Sequence, residues 1–197
     1  MHIAMQRQAL AVLDFWFGAP GSAEHGTQRK QWFTKDAGFD ALIRERFGGL
    51  IETALAGGLR DWDAQAPTAL ARTLVLDQFT RNSFRDTPRA FDGDTLALAA
   101  ARALVASDAH TTLTPLQRSF AYLPFEHAED LAMQDQAICL FGALAQEHSE
   151  LAGLLEWAQR HRDVIARYGR FPHRNAILGR VDTEAEVVFL AGPGSRF

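Results

Sequence analysis

Three stretches of this chain bring acids, guanidines and imidazoles together at spacings that could do chemistry. In DQFTRNSFR, from Asp77 to Arg85, the residues Asp77, Arg81 and Arg85 recur at i, i+4 and i+8, which on a helix makes one polar stripe. EHAEDLAMQ, from Glu126 to Gln134, stacks Glu126, Asp130 and Gln134 in the same way. HRDVIARYGRFPHRN, from His161 to Asn175, carries two His and four Arg among apolar residues. The expectation is that the three stripes wall one site.

The residue types suit a pocket for an anionic ligand, a small carboxylate or phosphate compound or a peptide C-terminus. Arg81, Arg85, Arg170 and Arg174 would supply forked donors, with Asn82, His173 and Asn175 completing the hydrogen bonding. Asp77, Glu126, His127, Asp130 and His161 complete the expected ligand-binding set. Asp77 lies one turn before Arg81 and Asp163 one turn before Arg167, so acids can hold these guanidines in place. Two further functions are open. Glu126, His127, His161 and His173 are candidates for metal-independent acid and base catalysis, since a carboxylate can orient an imidazole that titrates near neutrality. A helical scaffold for protein partners is the other, and all of them compete with a purely structural ion-pair network.

Metal and cofactors are not expected. The chain has no His-Glu-x-x-His and no Glu-x-x-His pair, and Arg beside the candidate ligands opposes a cation. A nucleophile elbow of the Gly-x-Ser-x-Gly type, a Walker phosphate loop and a dinucleotide fingerprint are also missing. The lone Cys139 excludes an intrachain disulfide and a Cys-based metal cage. Its apolar neighbours predict a buried thiol.

With 197 residues, 47% hydrophobic and 22% charged, the chain fits one globular domain spanning 1–197. A net charge of −4 gives no general attraction to nucleic acid and fits a cytoplasmic protein. Of 20 basic residues only Lys30 and Lys35 are Lys, and Arg is the better fork for carboxylate or phosphate. The apolar run from Ala9 to Ala23 contains Asp14, which argues for an amphipathic helix over a leader segment. No run approaches the roughly 18 apolar residues that span a bilayer, so no membrane association is expected.

Apolar residues recur at helical spacing nearly throughout, which predicts an all-α chain of antiparallel helix pairs. Helices are expected over Met5–Phe17, Ala37–Ala56 with Asp36 as N-cap, Pro67 through Arg81, and Asp94–Ala106. Thr114 and Pro115 start another, Pro124 interrupts it, and long helices should follow over Phe125–His148 and from Ser149 or Glu150 to Tyr168. Gly169 and Pro172 end the last of these, before short helices at Asn175–Leu178 and Thr183–Leu190 and the tail GPGSRF. Trp16, Phe17, Trp32, Phe33 and Trp62 read as core aromatics, while His25 and His110 read as surface loop residues.

LDFWFG at Leu13–Gly18, WFTKD at Trp32–Asp36, LDQFTRNSFR at Leu76–Arg85, LPFEHAEDL at Leu123–Leu131 and GRFPHRN at Gly169–Asn175 together resemble the bacterial family called domain of unknown function 924. The resemblance implies a right-handed array of helices similar to tetratricopeptide repeats, and no established activity. The chain departs from the family pattern at Ala128, where Ser is expected, and at Asp86, where Gly is expected.

Overall fold

The computed structural model describes residues 2–195, with side chains from Gln6 onward; Arg196 and Phe197 of the tail lie outside the described residues. The described chain is all α, built of helices and short 3-10 turns without a strand. No described helix is long and apolar enough to cross a membrane. The chain divides into two compact units, one carrying the helices up to Pro124 and the other running from Phe125 onward together with Asp86–Pro88.

The first unit holds α1 (His2–Phe17), α2 (Ala37–Leu55), α3 (Ala66–Leu74), α4 (Thr80–Ser83), α5 (Asp94–Ala106) and most of α6 (Pro115–Glu126). Asp36 caps α2 by accepting from the backbone N–H of Gly38 and Phe39, as its position before the apolar run requires. Helix α3 packs on α1 and α5. Its core is aromatic: Trp16 is fully buried, stacks on Trp32 at 5.8 Å, and meets Phe120 edge-on at 5.7 Å. Phe33 is the exception among the expected core aromatics: 67% exposed, it meets the cluster only at its edge, against Trp32 at 6.2 Å. His110, expected at the surface, is buried instead against the Tyr122 ring.

Between α3 and α4 the backbone widens into a π turn over Val75–Phe79. A π turn makes i to i+5 bonds and marks a local departure from the α ladder. Here the Leu76 carbonyl accepts from Thr80 Oγ1 at 2.7 Å, and the backbone of Gly93, the residue before α5, lies directly against it. The helix then ends at Ser83, so Arg85 lies beyond it. The expected single stripe through Asp77, Arg81 and Arg85 is therefore broken after Arg81.

The second unit holds the last turn of α6, then α7 (Leu131–Glu147), α8 (Gly153–Tyr168), α9 (Asn175–Leu178) and α10 (Glu184–Ala191). Helices α7 and α8 pack along one another and are joined by a 3-10 turn at Ser149–Leu151. The single long helix expected from Phe125 to His148 is in fact two segments. Helix α6 continues past Pro124 to Glu126, and α7 restarts at Leu131 with Asp130 as N-cap, accepting from the Ala132 and Met133 N–H groups. Glu126, Asp130 and Gln134 thus do not share one helix face. Gly169 closes α8 with φ of +70°, and Thr183 with Glu186 forms a capping box on α10. Cys139 is exposed rather than buried, because it falls on the outer side of α7 while Ala137, Phe141 and Leu144 take the inner one. Asp86 sits at φ of +63°, a left-handed conformation that suits the glycine expected there from the resemblance and that Asp adopts more readily than most residues.

An ideal Cβ on Gly93 would stand 2.0 Å from the Leu76 carbonyl oxygen, and both groups are backbone. Gly93→Ala is therefore expected to destabilise by ~1–3 kcal/mol or more. Gly142, inside α7, has nothing within 4 Å of an added Cβ, so Gly142→Ala should stabilise by ~0.5–1 kcal/mol. Urea unfolding of the two variants beside the wild type checks both signs.

Candidate functional site

Asp77, Arg81, Asn82 and Arg85 all lie in the first unit, and there they meet carboxylates. Arg81 is held at three points: Nη1 lies 2.9 Å from the Asp77 carboxylate, while Nη1 and Nη2 donate to Asp94 at 2.8 and 3.0 Å. Burial works against its charge, but Asp77 and Asp94 outweigh burial and raise its pKa. Arg85 donates through Nε and Nη2 to Asp40 of α2 at 2.8 and 2.9 Å, and Asn82 Nδ2 donates to the same carboxylate at 2.8 Å. Burial pushes Asp40 up, and these hydrogen bonds more than reverse it, leaving the carboxyl below its ordinary value. Arg44 completes this group by donating to the Ser83 carbonyl, at the end of α4, at 3.0 Å. Asp40, Asp94 and Arg44 were not in the expected set; nothing in the local spacing connects positions 40 and 85.

The second unit gathers the other expected residues, and here the imidazoles come together. Glu126 and His161 are each under 10% exposed. His161 Nδ1 stands 2.9 Å from the Trp157 carbonyl and 3.1 Å from Glu126 Oε1. Two acceptors facing one nitrogen place the ring proton on Nδ1 and leave the lone pair on Nε2. The His127 ring lies 6.5 Å from that of His161. Phe171 sits between imidazoles, 5.5 Å from His161 and 5.6 Å from His173, and the Arg174 guanidinium lies over it at 4.5 Å. Arg174 also donates from Nη2 to the His127 carbonyl at 3.1 Å.

Burial lowers the pKa of His161 to about 3, with the hydrogen bond to Trp157 opposing and the charges of His127, His173 and Arg174 reinforcing. For His173 burial again leads, Arg174 adds to it, and the value falls to about 4. Both rings are neutral around pH 7. Glu126 Oε1, 3.1 Å from Nδ1, orients the His161 ring.

Two flanking segments hold this cluster. Glu129 accepts from the Phe171 backbone N–H at 2.8 Å and from Arg180 at 2.7 and 3.0 Å, contacts that bring its pKa below the ordinary value against the opposing effect of burial. Gln134 Nε2 donates to the carbonyls of Glu126 and Ala128 at 2.6 and 2.7 Å. Arg170 pairs with Glu186 through two 2.7 Å bonds, which hold the Glu186 carboxyl well down, at about 2. Asn175 donates to Asp182 at 2.6 Å and accepts from Arg180 at 2.8 Å. Arg167 lies over the Tyr168 ring. Asp130 is exposed and serves as an N-cap. Glu129, Phe171, Arg180 and Glu186 lie outside the expected set; Glu129, an acid within the same EHAED stretch as Glu126 and Asp130, was the one available signal. Among the described residues no group of three or more His, Cys, Asp or Glu could hold a metal ion.

The model of the bacterial protein family of unknown function DUF924 matches residues 12–194. The chain is similar to a solved structure of a protein of unknown function, ATU0120 from Agrobacterium tumefaciens, at 36% identity and a TM-score of 0.84. That likeness covers 95% of this chain and 98% of the other. No curated protein matches.

Removing Arg81 leaves Asp77 buried without its main countercharge, so Arg81→Ala should cost about 3 kcal/mol, near the lower end of what breaking a buried pair costs; chemical denaturation measures it. Acid should also destabilise the protein through its imidazoles. His161 and His173 take up a proton near pH 6.5 when unfolded and only near 3 and 4 when folded, so the unfolded state binds more protons between those limits. Their stabilising contribution is complete above pH 6.5 and declines as pH falls. Unfolding free energies collected from pH 7 to pH 4 should show a shallower decline in His161→Gln than in the wild type.

Proposed function

The chain belongs to the bacterial family of unknown function DUF924, and from the geometry of its second unit we propose that it binds a small anionic molecule, a carboxylate or phosphate compound or a peptide C-terminus, at the cluster around Phe171. The observation that supports this reading is the position of Arg174: 6% exposed, over Phe171, among three imidazoles of which two are held neutral. A guanidinium in a weakly screened setting attracts an anion far more strongly than it does in water. An arriving anion also favours protonation of the rings beside it, so binding takes up protons and strengthens as pH falls.

The reading is narrower than the twelve-residue set expected from sequence. Arg81, Arg85 and Arg170 each make paired bonds to a carboxylate, and Asp130 caps a helix. Arg174, His161 and His173 lie against Phe171 and His127 lies beside His161, and these are the proposed binding groups. A second reading, metal-independent acid–base catalysis, is favoured by the Glu126 to His161 contact. A carboxylate on Nδ1 fixes the tautomer in which Nε2 accepts a proton from a substrate. Anionic substrates suit it best, since their charge raises the basicity of an imidazole that burial has weakened.

The test is thermal unfolding at pH 7.5 and pH 5.5 with inorganic phosphate, dicarboxylates and short peptides. At least one anion is expected to raise the melting temperature in a dose-dependent way, more strongly at pH 5.5, and Arg174→Gln should remove the effect. Absence of any shift at either pH defeats the binding reading. The catalytic reading stands if wild type turns over members of a phosphate-ester and carboxylate-ester panel and His161→Gln does not.

A further inference from the structure

Helix α6 stops at Glu126, and a helix end leaves its last carbonyls without intrahelical partners. The chain must then turn within four residues, because Asp130 already caps α7. Gln134, one turn into α7 and fully buried, reaches back across that turn. Its Nε2 donates to Glu126 O at 2.6 Å and Ala128 O at 2.7 Å, and approaches Phe125 O at 3.4 Å. The other end of the same amide, Oε1, is buried with no donor. Burying a carbonyl oxygen in this way is costly, and an apolar side chain of the same length would fill the space without that cost. The amide is therefore present for its two N–H groups, and these hold the backbone of the residue whose carboxylate meets His161.

We propose that Gln134 is a positioning residue of the site: by clamping the carbonyls at the end of α6 it fixes the backbone of Glu126 and His127, and through Glu126 the ring of His161. The inference rests on reading the Phe171 cluster as the functional site, but its test needs no ligand. Failure of the anion panel above would remove the proposed role of the site but not the clamp on Glu126, and failure of the clamp would leave the panel result untouched.

The readout is the ring ¹⁵N spectrum of the histidines. In the wild type His161 should show one protonated nitrogen, Nδ1, and should stay neutral down to about pH 3. Gln134→Met keeps the side-chain length and removes both donors. It is expected to give a mixed tautomer at His161 and a titration displaced upward towards the ordinary imidazole value, while His110 in the first unit and the partly exposed His148 keep their wild-type spectra. Gln134→Asn, a smaller disturbance that retracts the amide by one methylene, should move His161 in the same direction. A folded variant of either kind whose His161 spectrum is unchanged overturns the proposal, and so does one in which His110 and His148 change as much as His161. Hydrogen-bond scalar couplings from Gln134 Nε2 to the Glu126 and Ala128 carbonyls in the wild type give a check that no folding defect can obscure. Their presence supports the clamp and their absence overturns it.

Discussion

A charge removed from water must be met by its opposite or be given up, and both units are organised by that constraint. Guanidinium groups keep their charge at any pH a protein experiences, and four half-buried Arg residues each meet a carboxylate. Arg81 meets Asp77 and Asp94, Arg85 meets Asp40, Arg170 meets Glu186, and Arg180 meets Glu129. Imidazoles have the other option. His161 and His173 respond to burial by staying neutral. The same physical demand thus divides the polar residues into two kinds: paired ions that tie segments together, and uncharged rings whose protonation answers to whatever comes near them.

Helix ends are where these pairs and rings are mounted. The π turn at Val75–Phe79 releases the Leu76 carbonyl from the ordinary ladder, and the Gly93 backbone fits against it because it has no Cβ. From α5, which begins just after Gly93, comes Asp94, the bidentate partner of Arg81. In the second unit the break after Glu126 has a comparable effect. A continuous helix would have carried Glu126, Asp130 and Gln134 on one face. The turn instead sends Asp130 to a cap, brings Glu129 to the Phe171 N–H, and turns the Gln134 amide onto the carbonyls it would otherwise have left behind. Pro124, which has no N–H to donate, sits just before this break.

The site that results is built of short-range order imposed by longer contacts. Phe171 is fully buried and is held from both sides of its peptide, by Glu129 on its N–H and by Arg180 on its carbonyl. Its ring then spaces His161, His173 and Arg174. An aromatic anchor with its backbone fixed in this way gives the surrounding polar groups a defined geometry.

Much of this was written locally. Helical periodicity, the Asp36 cap, the end at Gly169 and the short helix at Asn175–Leu178 follow from patterns within a few residues, and the all-α class follows with them. The candidate residues Glu126, His127, His161 and His173 were also visible by type. What tertiary structure alone decided was partnership. Asp40 with Arg85, Glu129 with Arg180 and Glu126 with His161 join positions that are dozens of residues apart, and the sequence carries no distance information at that range. Helix breaks went unread for a related reason. A π turn or a restart at Asp130 costs little locally and is chosen by what packs against it, so the i, i+4, i+8 spacing that picked out the candidate residues drew them onto faces that the fold does not keep.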